Sequence, residues 1–142
     1  MIAIEILNEH PSLGFDSEWL RDLLETAVPD VLEAVGLHAD RAVLGELEEL
    51  SIALVDDATI ADIHEQFMSI PGATDVITFD HGEVVISLDT ARANAAEFGS
   101  DFVEEVARYG VHGLLHLNGH EDSVESERDA MHLVQEKILE LA

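Results

Sequence analysis

Every strand-like run in this chain lies before residue 89, and everything after it has helical periodicity. Residues 1–7 alternate around Ile2, Ile4 and Ile6, which predicts a first strand. Residues 49–55 put Leu50, Ile52 and Leu54 on one face, with Ala53 and Val55 adding burial of the other. The runs TDVITFD (74–80) and EVVISL (83–88) flank His81-Gly82 and predict a hairpin. Between the first two strands, Asp16 or Ser17 caps a helix carrying Trp19, Leu20, Leu23, Leu24, Ala27 and Val28. Pro29 is expected to interrupt it, leaving a separate short turn over 31–35 that stops at Gly36. Asp57 or Thr59 caps a second helix through Ile60, Ile63, His64 and Phe67, closed by the Pro-Gly turn of SIPGA. Helices follow at 89–98, 101–118 and 124–141, broken at Gly99 and around Gly119. Strands first, helices interleaved and a helical end indicate an α+β or mixed α/β class. No repeat, low-complexity tract or linker divides the chain, so 1–142 reads as a single domain.

Composition narrows the function. The 142 residues carry 6 Lys+Arg against 31 Asp+Glu, a net charge of −25, and no cysteine. Lacking cysteine excludes disulfides, cysteine zinc fingers and thiol catalysis together. No apolar run is long enough for a membrane span, and the N-terminus has no signal-peptide pattern, so a cytoplasmic location is expected. The charge argues against indiscriminate nucleic-acid binding, which needs cations to displace counterions, and no DNA partner is expected. The basic residues are Arg21, Arg41, Arg92, Arg108, Arg128 and the lone lysine Lys137. Acid surplus with lysine scarcity fits adaptation to concentrated salt, and equally a merely acidic protein. Thermal unfolding at rising KCl separates the two.

Chemistry concentrates in VHGLLHLNGHED, residues 111–122. His112 and His116 are four apart near a predicted helix end, so their rings share a face and can meet one metal ion. The pair alone is weak evidence, because eight histidines in 142 residues give roughly 0.4 such pairs by chance. Gly119 shifts the balance: a chain that reverses there brings His120, Glu121 or Asp122 back toward the pair. Two imidazoles and one turn-borne ligand leave an open position for water, the mark of a catalytic site. The residue after the first histidine is Gly113, which cannot be the general base of a zinc protease.

These residues carry a resemblance. HGLLHLNGHED (112–122) resembles the H-G-x-L-H-L-x-G signature of the YbeY endoribonucleases, and TDVITF (74–79) is similar to that family's T-D-V block. The strand from Gly82 to Ile86 matches the segment that follows in relatives. The resemblance covers most of the chain, from about Ser51 onward. It implies a single α+β domain, a small mixed sheet with covering helices, its HxxxH helix lining a cleft. It implies a zinc-dependent single-strand endoribonuclease of rRNA maturation, acting at the 3′ end of 16S rRNA and in ribosome quality control. The expected partners are single-stranded RNA and the small ribosomal subunit with its proteins. Its ligands for one Zn²⁺ ion fall on His112, His116 and, by register, Asp122, where the family usually has a histidine, with His120 as the rival third ligand.

Some positions depart from the family's pattern. Where relatives read L-N-x-x-Y-R, this chain has His64 for the Asn, Phe67 for the Tyr and Met68 for the Arg. Methionine cannot hold a phosphate. Arg108, one turn before His112, is the candidate replacement cation, against the simpler expectation of an ion pair with Glu104 or Glu105. Glu121 is the candidate proton acceptor, and His112 completes the expected catalytic set. Two alternatives stand beside this reading: a metal-binding assembly factor with weak or no cleavage, and a metal-dependent hydrolase of another substrate.

Overall fold

The computed structural model describes residues 2–142, so Met1, where the expected first strand opens, lies outside the described residues. The β-rich runs form β1 (Ala3–Asn8), β2 (Glu49–Val55), β3 (Val76–Phe79) and β4 (Glu83–Ser87). They make one sheet in the order β1-β2-β4-β3. β2 is parallel to both β1 and β4, whereas β3 is antiparallel to β4. The expected hairpin is thus present, turning at Gly82 with its φ of 102°. Inserting β4 beside β2 leaves β3 on the sheet's edge, next to the C-terminal helices.

The helices are α1 (Ser17–Glu33), α2 (Asp57–Met68), α3 (Leu88–Phe98), α4 (Phe102–Leu117) and α5 (Glu125–Leu141). Strand alternation sorts the apolar residues into two layers. Ile4, Leu50, Ile52, Leu54, Val84 and Ile86 meet Leu20 and Leu24 of α1 and Val106 and Leu114 of α4 in the main core. On the opposite face Ala53, Val55, Ile77 and Val85 pack with Ile60 of α2. Both faces of β2 are therefore buried, and the molecule is a single small α+β domain with a mixed sheet.

Two local expectations are corrected. α1 does not stop at Pro29 but runs through it to Glu33. The proline costs the bond its missing N–H would give to the carbonyl of Glu25, and both residues lie on the solvent side, where water can take that carbonyl. The apolar stripe Leu20, Leu24, Ala27, Val28 and Val31 stays buried across the proline and holds the helix together. The second correction is the cap of α2, which is Asp56, its side chain accepting from Thr59 N at 2.9 Å. Asp57 instead ties helix ends together: its Oδ1 accepts from Ser87 Oγ at 2.6 Å and Thr90 Oγ1 at 2.7 Å.

α4 lies at the centre of the domain, buried on nearly every side. Gly113 is what lets it sit so close to the sheet. A Cβ there would lie 3.0 and 3.1 Å from the methyls of Val84 and 3.4 Å from Thr78 Oγ1. The close approach is thus to hairpin side chains, and it sets one face of α4 against the edge strand.

Candidate metal centre

The helix ends where the glycine signal places it. Beyond the α4 C-cap at Asn118, Gly119 takes φ 90°, a left-handed conformation that turns the chain back. The turn is clamped by the segment after α1: Gly36 N donates to Asn118 O at 3.1 Å and His38 N to Gly119 O at 3.0 Å. The buried Asn118 side chain donates to Val31 O at 2.7 Å. This reversal carries Asp122 back to the two histidines. Its Oδ2 lies 3.3 Å from His112 Nε2 and 3.5 Å from His116 Nε2. The two rings stand edge to face, 4.7 Å between centroids.

Hydrogen bonds on the far side of each ring fix which nitrogen is free. His112 Nδ1 lies 2.8 Å from Gln135 Oε1, an amide oxygen that can only accept. The Gln135 amide is oriented by its own donation to Glu136 Oε2 at 3.2 Å. His116 Nδ1 faces the His120 carbonyl at 3.0 Å, again a pure acceptor. Both rings therefore carry their proton on Nδ1 and aim the Nε2 lone pair at Asp122. Three lone-pair-bearing atoms converge with no donor among them, an arrangement that calls for a cation. These ligand atoms all lie within 4.8 Å of one another, and the group could hold a metal ion. Two imidazoles and a carboxylate suit zinc and other divalent ions that take N/O ligands.

The same demand shows in the proton affinities. Burial pushes the His116 pKa down, but the hydrogen bond and charge of Asp122, with the Glu121 charge and the bond to His120, outweigh it and the net shift is upward. The facing His112 and His116 rings hold the Asp122 carboxyl well below the usual carboxylate range.

The group opens into a cleft of about 590 Å³ between the edge strand and α5. Thr74, Asp75 and Thr78 border it from the hairpin, so the TDV block lies beside the metal group. Asp75 Oδ1 is spent on the chain itself, accepting from Val76 N at 2.8 Å and Thr74 Oγ1 at 3.3 Å. Thr78 Oγ1 is buried without a hydrogen-bond partner among the described residues.

A family model described as endoribonuclease YbeY matches residues 5–142. The chain belongs to the YbeY endoribonuclease family. It is 35% identical to endoribonuclease YbeY of Pelotomaculum thermopropionicum over 137 residues, covering 86% of each chain. With the Desulforamulus reducens YbeY it shares 32% identity over 98% of this chain and 96% of the other. The solution structure of a Thermotoga maritima protein superposes with a TM-score of 0.63 at 26% identity, covering 99% of this chain and 87% of that one.

The cleft of this YbeY-family member brings some of the expected residues together and leaves others out. His112, His116 and Asp122 converge, whereas His120 does not join them. Its ring Nε2 bonds Ala34 O instead, and the residue is buried. Glu121 lines the cleft beside Asp122, with Oε1 held by Arg41 Nη1 at 3.2 Å. Arg108 is not brought to the cleft. Its guanidinium is taken by Glu136 at 2.9 Å, by Glu105 and by Glu104 at 3.3 Å, which is the ion-pair alternative extended by a third partner from α5. His64 and Met68 do line the cleft from α2.

Three polar cleft residues on α5 escaped the sequence reading: Arg128, His132 and Gln135. A signal for Gln135 existed. It sits in the apolar stripe Met131, Gln135, Ile138, where a polar side chain marks a buried hydrogen bond.

Proposed function

We propose that this chain is a zinc-dependent endoribonuclease that cuts single-stranded RNA in rRNA maturation, at the 3′ end of 16S rRNA, and in ribosome quality control. One observation carries the reading: in a YbeY-family chain, His112, His116 and Asp122 aim three unshared donor atoms at one point on the wall of an open cleft. A divalent ion held by them would supply a Lewis acid for a phosphate oxygen and a bound water of lowered pKa.

The chain's own residues set up that chemistry. Gln135 and the His120 carbonyl lock both rings in the tautomer that presents Nε2. Asp122 contributes negative charge to balance a dication. Glu121, on the cleft wall and steadied by Arg41, is the residue assigned to accept the proton of the attacking water. The working partners are the small ribosomal subunit and its proteins, in the cytoplasm; among the described residues no helix is long and apolar enough to cross a membrane.

Met68 on the cleft wall favours one second reading, an assembly factor with weak cleavage, because a thioether offers no charge to a phosphate. Incubating the purified protein with single-stranded rRNA, with zinc or with chelator, beside His112→Ala, tests both. Chelator-sensitive cleavage absent from the variant is the expected result. Tight binding to the small subunit without cleavage overturns the enzyme reading in favour of the assembly factor.

A further inference from the structure

Arginines are scarce in this protein, and the structure accounts for most of them. Arg21 lies 3.9 Å from Glu25, Arg41 is held by Glu121, and Arg108 is enclosed by three glutamates. Among the described residues Arg92 and Arg128 form no ion pair, and of the five arginines it is Arg128 that lines the cleft of the metal group. It sits in the first turns of α5, one turn before His132 and two before Gln135, and all three border that cleft. α5 thus presents a face on which Gln135 supports the His112 ring while Arg128 and His132 offer donors to whatever enters. The remaining ionisable lining consists of Asp75, Asp80, Glu121 and Asp122 with His64, His112 and His116.

We propose that Arg128, assisted by His132, forms the phosphate-binding wall of the cleft: the guanidinium takes non-bridging oxygens of the RNA strand, supplying from α5 the cation that Met68 does not supply from α2. The assignment rests on the endoribonuclease reading and names the contact that positions its substrate. An anionic strand approaching a chain of charge −25 meets repulsion over most of the surface, so attraction must come from cations within the cleft itself. Guanidinium is suited to this because its donors form a rigid fork that matches phosphate geometry. The hydrogen bond of His132 to the same or the adjacent phosphate adds orientation.

The test measures binding of a single-stranded oligoribonucleotide to chelator-treated protein over a range of KCl, for wild type, Arg128→Gln, Arg128→Lys and His132→Ala. Arg128→Gln is expected to weaken binding about tenfold at low salt and to flatten the slope of log affinity against log salt by about 0.7, the share of one lost phosphate contact on a single strand. Arg128→Lys should restore the slope, since it keeps the charge. With zinc restored, Arg128→Gln should raise KM more than it lowers kcat, and zinc stoichiometry and melting temperature should match wild type. An unchanged affinity and slope in Arg128→Gln overturns the assignment while leaving the endoribonuclease reading standing. Loss of affinity with an unchanged slope, not rescued by lysine, also overturns it, because that pattern belongs to a structural role. A wild type that neither binds nor cuts RNA sinks the endoribonuclease reading and this assignment with it.

Discussion

Gln135 Oε1 lies 2.8 Å from His112 Nδ1 and thereby decides which nitrogen of that ring faces Asp122. A residue 23 positions away on another helix sets the chemistry of the metal group. Gln135→Leu keeps the volume of this buried position but removes the acceptor, freeing the ring to rotate or change tautomer. Zinc affinity, measured by competition with a chromophoric chelator, should fall about 10- to 100-fold. Gln135→Glu restores an acceptor and should recover most of it.

Asp122 and His120 should part company under substitution. Asp122→Ala removes one of the three converging atoms and should abolish stoichiometric zinc binding, read by elemental analysis of dialysed protein. His120→Ala should leave zinc near one equivalent, because its ring bonds Ala34 O and not the metal group. It should instead cost about 1 kcal/mol of stability in denaturant titration, by removing the hydrogen bond to the partly buried Ala34 carbonyl.

Acid and metal compete for the same lone pairs. His116 has a raised pKa in the metal-free protein, so its proton is held to higher pH than by an ordinary histidine near 6.5. Zinc affinity should accordingly begin to fall above pH 6.5 on acidification, with proton release on binding detected by calorimetry in two buffers of different ionisation enthalpy. The stability of the metal-free protein has the opposite sign at neutral pH. The raised His116 pKa stabilises the fold fully below about 6.5 and loses that contribution as pH rises through the folded value. The depressed Asp122 pKa stabilises it above about 3.9 and is lost as pH falls toward the folded value. Chelated protein should therefore melt higher at pH 6 than at pH 8, a difference that Asp122→Ala removes.

Gly113→Ala gains helix propensity of about 1 kcal/mol but drives a methyl into both γ-carbons of Val84. Val84 is fully buried and β-branched, so it cannot swing aside. A net loss of about 1–2 kcal/mol is expected, and Val84→Ala in the same chain should recover part of it in a double-mutant cycle.

A charge of −25 on 142 residues sets up self-repulsion that salt screens. The Debye length falls from about 10 Å at 0.1 M to about 3 Å at 1 M. The melting temperature should rise with KCl over that range. A fall would show that the acidity is not an adaptation to salt.

What the sequence determined by itself is local. Period-two alternation in β1 and β2, the turn at His81-Gly82 and the stop at Gly119 were all legible, because each rests on neighbours within a few residues. So were the rings of His112 and His116 on one helix face, and the family to which the whole pattern belongs. Only the tertiary structure decided the rest. It carried α1 through Pro29, since burying one continuous apolar stripe outweighs one missing hydrogen bond. It slotted β4 beside β2 and pushed β3 to the edge, where the TDV block could border a cleft. It placed Asp122 rather than His120 with the two histidines, because the turn at Gly119 is pinned by the segment after α1 and sends the His120 ring toward Ala34. And it tied Arg108 to glutamates of α4 and α5 while giving Arg128 a free place on the cleft wall. Such choices depend on contacts between residues far apart in the chain, whose energies no local pattern encodes.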